Sequence, residues 1–86
     1  MTRDERLEQL KIVKATHEAD LMRKANVVGV GIGLKQRGGE MTGEPVIVVS
    51  VAQKVPLSQL APGDVIPREL DGMPVDVQAV GELRAL

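Results

Sequence analysis

The chain has 86 residues, with 11 basic and 12 acidic side chains and a formal net charge of −1. This length predicts a single domain, and so short a chain commonly needs disulfides, metals or association with other chains for added stability. Cysteine, Phe, Tyr and Trp are absent. Their absence excludes disulfides and disfavours the stacking of bases on aromatic rings. The balanced charge offers no basic surface to a phosphate backbone, so we expect no nucleic-acid partner.

The N-terminal residues lack the features of a targeting segment. Residues 1–10 are charged and contain no apolar run of the kind found in signal peptides. No stretch approaches the roughly 20 apolar residues of a transmembrane helix. The sequence therefore predicts a cytoplasmic protein without a membrane partner. With one His and no Cys we also expect no metal and no other cofactor.

Residues 1–25 are expected to form one long helix. Thr2 and Glu5 match a capping box, in which each side chain bonds a free backbone N–H of the first turn. Asn26 follows the helical pattern and can adopt the left-handed conformation that ends many helices. The N-terminal part of the chain therefore carries strong local signals at both ends of the helix.

The apolar positions of this helix form two lines on opposite sides. One line consists of Leu10, Val13, His17 and Leu21. The other consists of Ile12, Ala15, Ala19 and Met22. A helix that rests on one sheet needs one apolar line, so the second line indicates either contact with another chain or small residues tolerated on a wet face. The candidate interface residues are Leu10, Ile12, Val13, His17, Leu21 and Met22.

A β-hairpin is expected after the helix. Residues 27–35 predict a strand in which Gly29, Gly31 and Gly33 alternate with aliphatic residues, so one face is apolar and the other is bare backbone. We interpret these three as close-packing glycines, since a bare face lets another element approach. Residues 36–43 predict a polar loop, and the β-branched run 46–52 predicts a second strand covered on both faces.

The C-terminal half predicts a crossing segment and a third strand. Residues 53–74 contain four prolines together with the aliphatic residues Leu57, Leu60, Val65, Ile66 and Leu70, which favours an ordered segment with one or two short helical turns. Asp71-Gly72 indicates a turn, and residues 75–80 alternate as in a strand. The predicted fold is α+β over residues 1–86. Its long N-terminal helix packs on a small, mainly antiparallel sheet of about three strands. Residues 26–86 form this sheet and the proline-rich crossing segment.

The glycine run also permits an anion-binding hypothesis. Dinucleotide-binding loops use G-x-G-x-x-G at a strand-to-helix turn, with the phosphate at the helix N-terminus. Gly29-x-Gly31-x-Gly33 has different spacing and continues as strand, so close packing is the favoured interpretation. A nucleotide or anion site at these glycines remains an alternative.

His17 is the one residue that suggests catalysis. A nucleophilic site needs a His oriented by a carboxylate and adjacent to Ser or Cys, and neither Ser50 nor Ser58 lies in a G-x-S-x-G motif. His17 and Asp20 could supply two metal ligands, which is too few for a site. A face or interface role for His17 is favoured, and a hydrolase site formed between copies remains an alternative. We predict no catalytic residues and no enzyme activity in the chain itself.

Residues 26–86 resemble a known family. The segments NVVGVGIGLK, TGEPVIVVSVAQKVP and IPRELDGMPVDVQAVGELRAL resemble, in order and spacing, the amino-terminal region of bacterial trypsin-like serine proteases. In that family such a segment precedes the peptidase domain, and the catalytic His, Asp and Ser lie further downstream. The resemblance implies a non-catalytic accessory domain and a trypsin-like peptidase domain as a partner.

These observations predict a module that acts through protein contacts and self-association. A short chain without disulfides or metals is expected to be a homo-oligomer. The alternative is a stand-alone, self-assembling structural protein with no protease partner.

Overall fold

The computed structural model describes residues 2–81, which form one helix and a four-stranded mixed sheet. The elements in chain order are α1 (Arg3–Met22), β1 (Val27–Arg37), β2 (Glu40–Val51), β3 (Glu69–Leu70) and β4 (Met73–Ala79). The strand order in the sheet is β1-β2-β4-β3. The α+β class is confirmed, and the strand count is one higher than predicted because of the two-residue strand β3. The predicted domain extends to residue 86, and its residues 82–86 lie outside the described residues.

The helix begins at the predicted cap. The Thr2 side chain accepts a hydrogen bond from the Glu5 backbone N–H at 3.1 Å. The helix ends at Met22, three residues before the end of the predicted range 1–25, and Asn26 has a φ of 73°. Asn tolerates this left-handed conformation, which turns the chain from the helix into β1.

The β1–β2 hairpin is longer than the sequence predicted. Residues 36–43 were expected to form a loop, but β1 runs to Arg37 and β2 begins at Glu40. The turn consists of Gly38 and Gly39, with φ values of 60° and 84°. Positive φ at both turn residues matches the right-handed twist of the flanking strands, so a two-glycine turn allows pairing to continue to the tip.

The pairing of β2 with β4 is parallel, whereas the β1–β2 and β3–β4 pairings are antiparallel, so the sheet is mixed and, as predicted, mainly antiparallel. Ile47 pairs with Val75, and Val51 pairs with Ala79. Parallel neighbours require a crossover connection, and residues 52–72, which include β3, supply it. One or two short helical turns were predicted here, and the segment contains two of the 3₁₀ type, at Leu57–Gln59 and Pro62–Asp64.

The end of the predicted crossing segment belongs to a second hairpin. Strand β3 pairs with the start of β4 in antiparallel fashion around Asp71 and Gly72. The φ values of these two residues are 48° and 82°, so the predicted turn is confirmed. The third predicted strand, 75–80, begins two residues earlier and ends one residue earlier than expected.

The core lies between the helix and one face of the sheet. Its buried members are Leu10, Val13, Leu21, Ile47, Val49 and Val51. Partly buried aliphatic residues of β1 and β4 pack around these six residues. Within residues 2–81, no helix has the length and apolarity needed to cross a membrane.

Candidate binding surfaces

The sheet-facing line of the helix is part of the core. Leu10, Val13 and Leu21 are buried and form one cluster with Ile47, Val49 and Val51 of β2. These three candidate interface residues therefore contact this chain's own sheet and present no surface to another protein. The sequence pattern indicated two lines but not which of them the sheet would cover.

His17 connects this line of the helix to the β3–β4 turn. Its side chain is about one quarter exposed, and the Nε2–H donates to Asp71 Oδ2 at 2.8 Å. Ser50 and Ser58 are absent from its hydrogen-bond partners within the described chain. Asp71 was recognised only as a turn residue, because nothing local relates two positions 54 residues apart.

The second line of the helix faces away from the sheet. Ile12 is 61% exposed and Met22 is 44% exposed, and Ala15 and Ala19 between them are also exposed. We call these four residues the outer stripe. Ile12 and Met22 are therefore the candidate interface residues that the fold leaves accessible.

The three glycines of β1 lie on the sheet face opposite the helix. Val30 and Ile32 pack into the core, so the alternating glycines point the other way. A Cβ at position 33 would lie 3.1 Å from Val48 Cγ2, whereas a Cβ at position 31 would meet nothing within 4 Å. Close packing therefore applies to Gly33, and at Gly31 the face is open as part of a shallow depression of about 300 Å³.

The far end of β1 is held against β4 by two polar side chains. Asp76 Oδ2 accepts from the Gln36 backbone N–H at 2.8 Å, and Gln78 Nε2 donates to the Leu34 carbonyl at 3.1 Å. Gln78 Nε2 also donates to Asp76 Oδ2 at 3.0 Å. We call Asp76 and Gln78 the polar clamp. The alternation of residues 75–80 predicted a strand but did not indicate that these two side chains would bond to the backbone of β1.

The glycine run does not form a phosphate-binding loop. Gly29, Gly31 and Gly33 all lie inside β1, and the next element is β2 of the hairpin. Phosphate loops of the dinucleotide type place the anion at a helix N-terminus, and no helix follows β1 directly. The glycine face of β1 is therefore a shallow depression on a strand and not a phosphate-binding loop.

A larger cavity lies where β2 and β4 end. Its volume is about 520 Å³, and its lining includes Val51, Val77 and the crossing segment. The basic side chains of Lys54 and Arg68 also line it. Among residues 2–81, no three His, Cys, Asp or Glu side chains are grouped as metal ligands.

These features define a small α+β domain. Its accessible surfaces include the outer stripe of the helix, the open glycine face of β1 and the cavity at the ends of β2 and β4. Residues 2–80 match the family described as the NARROW LEAF 1 N-terminal domain. The match covers most of the chain, and the chain belongs to this family. The family is defined as an N-terminal domain, and its description names no catalytic activity. No curated protein matches the chain.

The family assignment corrects the resemblance to bacterial trypsin-like serine proteases. Residues 26–86 resembled the amino-terminal region of those proteases, but the family matched over residues 2–80 is a different one. The resemblance was wrong because valine-rich strands and Asp-Gly turns are favoured in β-hairpins generally and do not identify one family. A trypsin-like peptidase domain is therefore withdrawn as an expected partner.

Proposed function

We propose that the chain is a non-catalytic binding module that acts through protein contacts and associates with a second copy of itself. The observation that carries this proposal is the outer stripe, which is apolar, exposed and continuous along the helix. Singly exposed apolar residues are common, but an aligned set on one helix face marks a contact surface more strongly.

The order of residues in the outer stripe suits pairing with itself. Ile12, Ala15, Ala19 and Met22 are spaced by three, four and three positions, with large residues at the ends and alanines in the middle. A two-fold axis through the position of residue 17 would set Ile12 opposite the partner's Met22. The central alanines would let the two helices approach closely.

The helix dipoles favour the antiparallel arrangement over a parallel one. In an antiparallel pair the dipole of each helix opposes that of the other, which is favourable. This contribution is small and screened by salt, so it orients the pair more than it stabilises it.

The core of the isolated chain is small, which supports the same proposal. Among residues 2–81, seven hydrophobic side chains are buried. With no disulfide in the chain, burial of the outer stripe is an available source of added stability. Only two large side chains per copy would be buried, so we expect a dissociation constant on the order of micromolar to millimolar.

The proposal is tested by light scattering on a size-exclusion column over a dilution series. The unsubstituted chain is expected to shift towards a dimer as concentration rises. Ile12→Glu is expected to remain monomeric, because it places a charge at the end of the stripe. Met41→Glu is the matched control, since Met41 is 56% exposed and lies on β2. A monomer at all concentrations, or equal effects of both substitutions, would contradict the proposal.

A further inference from the structure

The cavity at the end of the sheet has the size and lining of a binding site. Its volume of about 520 Å³ falls within the roughly 300–1,000 Å³ typical of ligand pockets. Its apolar lining includes Val51, Val55, Leu60, Ile66 and Val77. The strands supply one wall, and the crossing segment with its 3₁₀ turns supplies the other.

The acidic and basic side chains that line this cavity differ in whether they already bond to other groups of the chain. Asp64 Oδ1 accepts a hydrogen bond from the Ala25 backbone N–H at 2.9 Å, so the acidic group of the lining is engaged by the chain itself. Lys54 and Arg68 form no ion pair within the part of the chain that the structure describes. The cavity therefore combines an apolar interior with two cationic side chains available for an anion.

The cavity is also open to solvent on one side. Leu57 contributes to the lining and remains 68% exposed, so the rim is apolar as well as accessible. An occupant with an aliphatic group inside and a larger part outside fits this shape better than a small molecule enclosed on all sides. A guanidinium and an ammonium at the rim can pair with a carboxylate that stays at the surface.

We infer that this cavity binds a segment of a partner protein that presents an aliphatic side chain beside a carboxylate. The aliphatic side chain enters between the sheet and the crossing segment. The carboxylate pairs with Arg68 and Lys54 at the rim. This site shares no residue with the outer stripe, so it stands independently of self-association.

The inference is tested with the ¹⁵N-labelled chain and two synthetic peptides. The acidic probe is acetyl-Glu-Glu-Ile-Leu-amide, and the basic probe is acetyl-Lys-Lys-Ile-Leu-amide. The backbone amide resonances of Val55, Leu60 and Val77 are expected to shift and saturate with the acidic probe. We expect the basic probe to bind about tenfold more weakly, because both exposed charge contacts change from attraction to repulsion.

A charge-reversal variant isolates the role of the two cations. Lys54→Glu combined with Arg68→Glu is expected to reverse the preference in favour of the basic probe. The matched control is Lys35→Glu combined with Arg37→Glu, which makes the same charge change near the tip of the β1–β2 hairpin. The control variant is expected to keep the preference for the acidic probe, and circular dichroism checks that both variants are folded.

Three results would overturn the inference. The acidic probe could leave the three amide resonances unchanged at millimolar concentration. Both probes could bind equally, which would exclude recognition of the carboxylate. Decanoate could shift the same resonances at lower concentration than the acidic peptide, which would identify a site for free fatty acids instead of a protein segment.

Discussion

Gly33 and Gly31 occupy the same strand and the same face but meet different surroundings. A Cβ on Gly33 would lie 3.1 Å from Val48 Cγ2, closer than ordinary van der Waals contact. Val48 is β-branched and has little rotamer freedom with which to move aside. The same atom on Gly31 would enter open space. A period-two glycine pattern in the sequence thus contains one position where packing demands glycine and one where it does not.

We expect Gly33→Ala to lower the free energy of unfolding by about 1 kcal/mol, because the added methyl group overpacks the contact with Val48. Gly31→Ala is the matched control, and we expect it to be neutral or to stabilise slightly through the unfolded chain. Urea denaturation of both variants measures the difference. Equal stability of the two variants would contradict a packing role for Gly33.

At the scale of elements, the polar clamp explains how the glycine-rich strand is held. The β1–β2 register shifts between Leu34 and Gln36, which is where the side chains of Asp76 and Gln78 bond to the β1 backbone. Irregular pairing frees backbone groups that need other partners. Asp76 and Gln78 satisfy these groups from β4, a strand that does not neighbour β1 in the sheet.

Gln78→Glu tests the clamp, because a carboxylate cannot donate to the Leu34 carbonyl and would repel Asp76. We expect a loss of about 1–3 kcal/mol in the free energy of unfolding. Hydrogen exchange should also show faster exchange of the Gln36 amide. Gln59→Glu, on an exposed 3₁₀ turn, is the matched control and should change neither quantity. Unchanged Gln36 exchange in Gln78→Glu would rule out the clamp.

Neighbouring residues determine where the helix begins, whereas packing against the sheet determines which of its faces is buried. Thr2 and Glu5 act within one turn, so their spacing alone predicted the beginning of the helix. The buried line and the outer stripe had comparable patterns, and the sheet selected the line containing Leu10, Val13 and Leu21. That line carries the larger aliphatic residues, whose burial stabilises the fold more than burial of Ala15 and Ala19 would.

At the scale of the whole molecule, the proposed two-fold pair makes a geometric prediction. The chain has no natural cysteine, so single substitutions report contacts without background. Chains carrying Ile12→Cys mixed with chains carrying Met22→Cys are expected to form mainly the mixed disulfide under mild oxidation. This follows because an antiparallel pair centred near residue 17 sets position 12 opposite position 22.

Mass spectrometry of the oxidised mixture distinguishes the possible arrangements. Predominance of the two symmetric disulfides would indicate parallel helices and would reject the antiparallel pair while keeping self-association. Cross-linking no faster than that of a Met41→Cys control, together with a monomeric mass in solution, would reject self-association itself.

The sequence by itself determined the features that depend on neighbouring residues. These are the helix cap at Thr2, the left-handed turn at Asn26, the Asp71-Gly72 turn and the α+β class. Each arises from side chains or backbone preferences within a few positions, so spacing and residue type suffice to predict it.

The tertiary structure decided the features that join distant parts of the chain. The parallel pairing of β2 with β4, the His17–Asp71 hydrogen bond and the polar clamp fall in this group. The partners in these hydrogen bonds are 40 to 54 residues apart. Their free energy is gained only after the chain has folded back on itself. No local pattern encodes which polar side chain will meet which backbone group, so the fold alone placed these contacts and the cavity at the end of the sheet.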